Sequence, residues 1–450
     1  MQEERIQRWD KSPEKRGRYI LYRMQASVRF FFNLALNYAV EEANKRDLPL
    51  KILFTLNSSF PEANRRHFMF LCQGLMDFAE KALHAGYDFI LEVDATRGRI
   101  SHYLHHADLV VLDKGYLRIQ RQWAEQIIED SPVSVVMIED NLLIPVSAVT
   151  NKQEWSARTL RPKLMRHYLY YLSDMVYVNP VSLNQHLRTD FTLAKTEDQL
   201  NYFLQRFHGT SLPDVALKGG ETESQNKWAE FLDKKFLNYS SDRNDPSLHG
   251  TSGISPYLHF GHTSPLALLS AMNAFLQSQP DPVSFEESKN VLIEQLIVRR
   301  ELAHNYVWFN LDYDRYRGLP QWCLDTFQKH GKDERPYLYA LEELEEAKTH
   351  DPYWNRAMHE MISTGSMENT MRMYWGKKII EWSSSAEEAY ERTIYLNNKY
   401  FLDGRDANSF TGVGWCFGLH DRPWSERPVF GTIRYMNLAG LERKYKMKEY

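Results

Sequence analysis

The chain has 450 residues, with 55 Lys and Arg against 59 Asp and Glu, a formal net charge of −4. This balance excludes a basic-tail nucleic-acid binder and an acidic disordered segment, so a DNA partner has to be met by a local patch. Hydrophobic residues make up 43% and aromatic residues 13%, including 11 Trp, 26 Tyr and 23 Phe, a globular composition whose aromatic excess is either core or chemistry.

The first 150 residues alternate between strand and helix patterns. Strands are predicted over Tyr19–Met24, Leu48–Leu56, Asp88–Val93, Leu109–Leu112 and Val133–Glu139. Helical spacing covers Arg29–Asn44 and Glu62–Ala85, the latter with Phe68, Leu71, Leu75 and Phe78 on one face. Strands separated by long helices imply parallel βαβ units. No GxGxxG follows any of these strands, so the sheet lacks the usual dinucleotide fingerprint. Residues 176–227, including LKGGETESQNK, read as a connector between a domain over 1–175 and another over 228–450. From Trp228 the chain is helical or loop, with helices expected over Ser284–Trp308, Pro336–Lys348, Asp351–Ser363, Met367–Ser383 and Ala386–Asn397. The expected fold is therefore α/β: a Rossmann-like parallel-sheet domain followed by an all-α domain.

Cys72, Cys323 and Cys416 form no CxxC pair, which points away from a zinc site or a disulfide framework and toward a reducing, cytoplasmic compartment. The N-terminus is polar, and no run approaches the roughly 18 to 20 apolar residues of a membrane span. No GxSxG, HExxH or P-loop is present. His102, His105 and His106 cluster as HxxHH without a Cys or acidic residue at ligand spacing, and no metal is expected there.

Three constellations carry chemistry. Thr251, Ser252, Gly253, Ile254 and Ser255 precede a helix; such hydroxyls and free N–H groups either cap the helix or bind phosphate. Trp375 and Trp382 are seven apart in MRMYWGKKIIEW, which places them on nearly one helix face about 10.5 Å apart along the axis. With Trp354 in the preceding helix they are either a core stripe or a one-electron relay. Arg372 and Asp403, the latter in DGRD, form a charged pair that matters only if it is buried.

Together these motifs resemble the photolyase/cryptochrome superfamily, and more closely the class II cyclobutane pyrimidine dimer photolyases. The resemblance spans nearly the whole chain. It includes YRMQASVR, FPEANRRH, DKGYLRIQRQW and ARTLRPK in the first half, and RNDP, SPYLHFG, RRELAHN, HDPYWN, MRMYWGKKIIEW, YLNNKYFLDGRD and HDRPWSERPVFGTIRYMN in the second. It implies an N-terminal antenna domain and a helical FAD-binding domain, with the FAD reduced and anionic in the active form. It leaves room for a second antenna chromophore such as a deazaflavin.

Residue by residue, the resemblance assigns Tyr239 and the Thr251, Ser252, Gly253, Ile254 and Ser255 run to the FAD phosphates. Arg372 and Asp403 fall beside the isoalloxazine and Asn397 near flavin N5. Trp375, Trp354 and Trp382 match the electron-transfer chain, in that order from flavin to surface. Trp415 matches the wall on which a flipped dimer rests, and Met373, Arg243, Gln295 and Asn369 match lesion-facing positions. The implied partner is UV-damaged DNA, without a membrane, for a monomer that is nucleoid-associated in a prokaryote or nuclear in a eukaryote.

Two positions depart from the class II pattern. The paired acids before RREL read Glu294-Gln295, which puts a neutral amide at the lesion contact. Met367-Glu368-Asn369 stands where the family has Met-His followed by Gly or Asn. The rival readings are a photolyase-like blue-light receptor and a flavin-free DNA-binding module. The chain ends at Tyr450, soon after GTIRYMN and without the long tail of a receptor, which favours the enzyme.

Overall fold

The computed structural model describes residues 1–12, 16–173, 182–189, 191–207, 212–445, 447 and 450. Its first half is built on a six-stranded sheet: β1 (Ile6–Trp9), β2 (Tyr19–Met24), β3 (Leu50–Leu56), β4 (Asp88–Val93), β5 (Ala107–Asp113) and β6 (Val135–Ile138), in the order β1-β6-β5-β2-β3-β4. The strands from β2 to β6 run parallel. Their order, β4-β3-β2-β5-β6, winds outward both ways from β2, so the crevice at the strand C-termini opens between β2 and β5. Asp113 at the end of β5 closes its floor, accepting bonds from the Gln25 and Ala26 amides at 2.7 and 2.6 Å.

The expected parallel sheet gains a sixth strand that sequence reasoning missed, β1, which pairs antiparallel with β6 from Ile6 opposite Ile138 to Trp9 opposite Val135. An edge strand facing solvent needs no apolar run, and IQRW carries none. The buried strands are apolar on both faces because helices cover both sides. Leu34–Arg46 and Arg65–Ala85 share one core with Ile20, Tyr22, Ile52 and Val111, and Leu21, Val110 and Val135 pack on the other side with Leu104, Ala124 and Ile127.

The second half is helical. Ser284–Trp308 forms one nearly continuous helical run, but Glu294–Arg299 within it is a π-helical turn. Pro336–Lys348 is helical only over Leu341–Glu345. The preceding residues are drawn out by tertiary contacts: the Tyr339 amide bonds the Trp382 carbonyl at 3.2 Å, and the Tyr337 ring stacks on His350 at 3.9 Å. Four helices surround the candidate site: Pro352–Thr364, Asn369–Trp382, Ala386–Tyr400 and Ala407–Cys416.

Within residues 176–227, helix Leu193–Gln205 packs through Leu200 and Phe203 on the sheet-side core, while 176–181, 190 and 208–211 lie outside the described residues. The halves are locked by helix Arg65–Ala85. Buried Arg66 reaches the Tyr400 and Ile362 carbonyls at 3.0 and 2.6 Å, and His67 bonds the Phe401 carbonyl at 3.0 Å. No helix among the described residues is long and apolar enough to cross a membrane.

Candidate functional site

The site centres on Arg372, one turn into helix Asn369–Trp382. Its Nη1 donates to Asp403 at 3.0 Å, and its Nη2 donates to Asn397 Oδ1 at 2.6 Å and Ser409 Oγ at 3.0 Å. The guanidinium lies 3.8 Å from the Phe401 ring centroid. Three separate segments thus converge on one cation. Asn397 is fully buried, and its Nδ2 bonds Asn398 and Ser409. The surface ion-pair alternative is excluded by geometry, because the side chains of Arg372 and Asp403 are only 24% and 18% exposed. Ser409 and Phe401 are contributors that sequence reasoning missed; no pattern links either to Arg372 before the helices are folded.

Trp375, Trp354 and Trp382 are brought together and buried. Trp354 bridges the other two: its Nε1 donates to the Trp375 carbonyl at 3.1 Å, and its ring meets Trp382 edge-on at 5.5 Å. Trp375 in turn meets Phe401, the ring under Arg372, at 6.1 Å. The expectation that Trp382 reaches the surface is corrected. It is 1% exposed, covered by Tyr339 and His350 at 5.3 and 5.4 Å, because the 336–340 segment is laid across it instead of forming a helix.

The Thr251–Ser255 run has the chemistry of a phosphate cradle with one discordant group. Ser255 opens the short helix Ser255–His259, and Thr251 and Ser252 are half-exposed. Gly253 has φ +67, and a Cβ there would lie 3.2 Å from Lys227 Cε, so the run passes against a lysine that sequence reasoning left in the connector and whose ammonium lies 3.7 Å from Glu230. Against this, the Glu368 carboxylate accepts bonds from Thr251 Oγ1 at 3.4 Å and His249 at 3.2 Å. Tyr239 is buried, with the Arg243 guanidinium over its ring at 5.8 Å. RNDP is tied to the tryptophan helix by Thr370, which donates to the Asn244 carbonyl at 2.6 Å.

Trp415 is half-buried near the end of helix Ala407–Cys416. The Arg299 guanidinium sits over it at 5.1 Å, and His420 approaches at 6.0 Å. Burial holds the His420 imidazole down at about 4, so it is neutral. Arg299 also bonds Glu294 at 3.0 Å, and Arg161 bonds the same carboxylate at 2.7 Å. Glu294 is therefore spent on two guanidiniums, leaving Gln295 as the free polar end of this turn. Gln295 is half-buried with no side-chain hydrogen bond among the described residues. Met373 touches Cys416 Sγ at 3.9 Å, adjoining Trp415. Asn369 is exposed at the helix start, and among the described residues it makes no side-chain hydrogen bond to the other lesion-facing positions.

A second concavity lies at the C-terminal ends of the sheet strands. It holds about 120 Å³ between Val28, Phe54, Phe60 and Phe68 of the sheet half and His259, Phe260 and Arg405 of the helical half.

An α/β half on a doubly wound sheet is joined to a helical half that gathers a buried Arg–Asp–Asn set and a tryptophan cluster, a two-domain α/β plus all-α architecture. The same fold, with a TM-score of 0.70 at 13% identity over 97% of this chain and 89% of the other, is found in a Synechocystis cryptochrome. A family model described as DNA photolyase matches residues 20–176. A deoxyribodipyrimidine photo-lyase of Methanothermobacter thermautotrophicus is 40% identical over 97% of this chain and 95% of its own. One from Arabidopsis thaliana is 34% identical over 96% and 88%. The chain belongs to the photolyase/cryptochrome superfamily.

Proposed function

We propose that this protein is a light-driven repair enzyme of the class II type, which binds FAD and splits cyclobutane pyrimidine dimers in UV-damaged DNA. The observation that carries the proposal is the Arg372, Asp403, Asn397 and Ser409 cluster, set against a buried tryptophan relay on one side and adjoined by Trp415's helix on the other. A bound FAD, reduced and anionic, would supply the light-excited electron that opens the dimer ring.

The residues present fit that cofactor. Arg372 offers a fixed positive charge already neutralised in part by Asp403, suited to an anionic ring system that gains and loses one electron. Asn397 is held by Ser409 and Arg372 so that its amide cannot swing. Thr251, Ser252 and Ser255, with Lys227 behind Gly253, offer donors for a diphosphate. Glu368, bonded to Thr251 and His249, is a group whose charge opposes it, and those bonds turn it away from full exposure.

On the DNA side, a dimer buried in a duplex has to leave the stack, at a cost of a few kcal/mol that its weakened pairing lowers. The Trp415 face recovers about 1 to 3 kcal/mol per stacked base. Gln295 can hold a pyrimidine carbonyl through its amide N–H, but it has no proton to donate. Arg299, Arg161 and Arg243 supply local positive charge, which a chain of net charge −4 needs. Trp375, Trp354 and Trp382 would carry electrons inward to restore the reduced cofactor. The concavity between the halves, at the switch point of the sheet, is where a second, antenna chromophore such as a deazaflavin would bind.

The test is loss of thymine dimers from irradiated oligonucleotide under blue light, run beside photoreduction of the purified protein. Both are expected. Trp375→Phe should slow photoreduction while sparing repair by chemically reduced protein. Gln295 favours one second reading, a blue-light receptor of weak repair activity, because a carboxyl is missing where the resemblance places one. Robust photoreduction with no dimer loss, unchanged by Gln295→Glu, would establish the receptor and sink the enzyme.

A further inference from the structure

The tryptophan helix carries a third buried aromatic, which the relay does not use. Tyr374 is fully buried beside Trp375 in sequence, and its phenol donates to Asp351 Oδ2. Asp351 is itself buried and caps the helix that bears Trp354, accepting from the Tyr353 and Trp354 amides at 3.0 Å each. Burial, followed by the bond to Asp351, pushes the Tyr374 phenol far above its ordinary range, so it is a neutral phenol resting on a carboxylate.

The surrounding indoles have no such partner. Trp375 Nε1 and Trp382 Nε1 are buried without a hydrogen bond, and Trp354 Nε1 faces a backbone carbonyl. An indole that loses an electron here has no base to take its proton and stays a cation. At Trp382 that cation would also sit 5.6 Å from the Lys378 ammonium, which lies equally 5.6 Å from the Tyr374 ring. Like charges in a buried site repel, and the pairing of Lys378 with Glu381 at 2.8 Å reduces that repulsion without removing it. Tyr374 avoids the conflict, because its proton can move to Asp351 as its electron leaves and no cation is made.

We infer that the Tyr374–Asp351 pair is a proton-coupled redox site that takes over the oxidising equivalent from the tryptophan cluster. This rests on the relay proposed above. The step balances within the chain. The oxidant is the indole radical cation left when the relay has passed an electron inward. Tyr374 gives that indole one electron and returns it to its closed shell. The phenolic proton goes to Asp351 Oδ2, leaving a neutral tyrosyl radical beside a neutral carboxylic acid. Proton movement along a preformed hydrogen bond needs no reorganisation of the site. The function is to hold the hole away from the cofactor long enough for outside reductant to arrive.

The experiment is flash excitation of the flavin-loaded protein, followed by transient absorption and by electron paramagnetic resonance of the frozen sample, with ring-deuterated tyrosine to mark the radical. A tyrosyl signal is expected to grow as the tryptophan cation decays, more slowly in deuterium oxide. Tyr374→Phe should remove it and leave the tryptophan signal in place with faster recombination. Asp351→Asn keeps an acceptor for the helix amides but not the base, and should remove both the signal and the isotope effect. Should Asp351→Asn fail to fold, Tyr374→Phe alone decides. A tyrosyl signal that survives Tyr374→Phe, or tryptophan cations with no tyrosyl in the parent, overturns this inference and leaves the relay standing. Absence of every protein radical although flavin is bound overturns the relay, and this site with it.

Discussion

Arg372→Lys keeps the charge at the centre of the site and removes its fork. The guanidinium feeds three groups from two nitrogens, Asp403 from Nη1 and both Asn397 and Ser409 from Nη2. A lysine ammonium is one point on a flexible stem and cannot stand at both positions. If it keeps Asp403, the fully buried Asn397 Oδ1 loses its donor. Hydrogen bonds to a charged group are worth about 1.5 to 3 kcal/mol each, and some of the loss returns through the bond from Asn397 to Ser409, so we expect a net cost of about 2 to 4 kcal/mol. Contact with Phe401 is also reduced, because an ammonium does not stack flat on a ring. The assay is urea unfolding together with flavin retained after gel filtration. Both should fall, and Arg372→Met combined with Asp403→Asn should be less damaging than Arg372→Met alone, because no carboxylate is left unpaired. An Arg372→Lys protein within about 0.5 kcal/mol of the parent, with its flavin intact, would refute the claim that the fork organises the site.

Three other outcomes follow from the packing and the charges. Gly376 faces the last turn of the Trp415 helix, and a Cβ there would lie 2.7 Å from Cys416 Sγ. Gly376→Ala should cost about 1 to 3 kcal/mol in unfolding experiments despite alanine's better helix propensity, and Cys416→Gly in the same chain should recover most of it. Glu301 is fully buried with Oε2 unbonded, and burial pushes its carboxyl up to about 8. The folded state therefore holds a proton that the unfolded chain releases above about 4.5, so stability falls as pH rises from 5 to 8. Glu301→Gln should remove that slope, about 1.4 kcal/mol per pH unit across the window, as read by urea unfolding at both ends. His330 is held between Asp333 at 2.6 Å and Glu426 at 2.8 Å, and these bonds raise its pKa. Its contribution is complete below the unfolded value of about 6.5 and is lost as pH rises through the folded one. Hydrogen exchange over 424–433 should accelerate above that point in the parent and be fast at every pH in His330→Gln.

The parallel sheet was legible because a strand covered on both faces must be apolar along its length, as Tyr19–Met24 is, while the edge strand Asp88–Val93 shows itself by alternate burial of Phe89 and Leu91; both were placed to the residue. Ile6–Trp9 was not, since an edge strand with one wet face carries no such signal. The spacing of Trp375 and Trp382 put them on one face, yet only the packing of a second helix shows that Trp354 bridges them. The π-helical turn at Glu294–Arg299 leaves the hydrophobic pattern almost untouched, so its effect on Gln295 and Arg299 could not be read from spacing. Lys227, Phe401 and Ser409 escaped notice because a site formed from distant segments has no local period. The buried character of Trp382 depended on Tyr339, whose segment follows a tertiary contact and not its helical propensity.

The antiparallel edge also governs how the protein behaves in a crowded solution. Residues 6–9 cover the flank of β6, a flat apolar strand whose free N–H and C=O groups would otherwise template another chain. Arg5 fastens that cover from within, donating to the Glu139 and Leu142 carbonyls at 3.0 and 3.2 Å. The opening residues thus act as a built-in selvedge. Trimming them leaves every group around Arg372 in place but turns β6 into a sticky margin, and the shortened protein should be lost to aggregation before it is lost to unfolding.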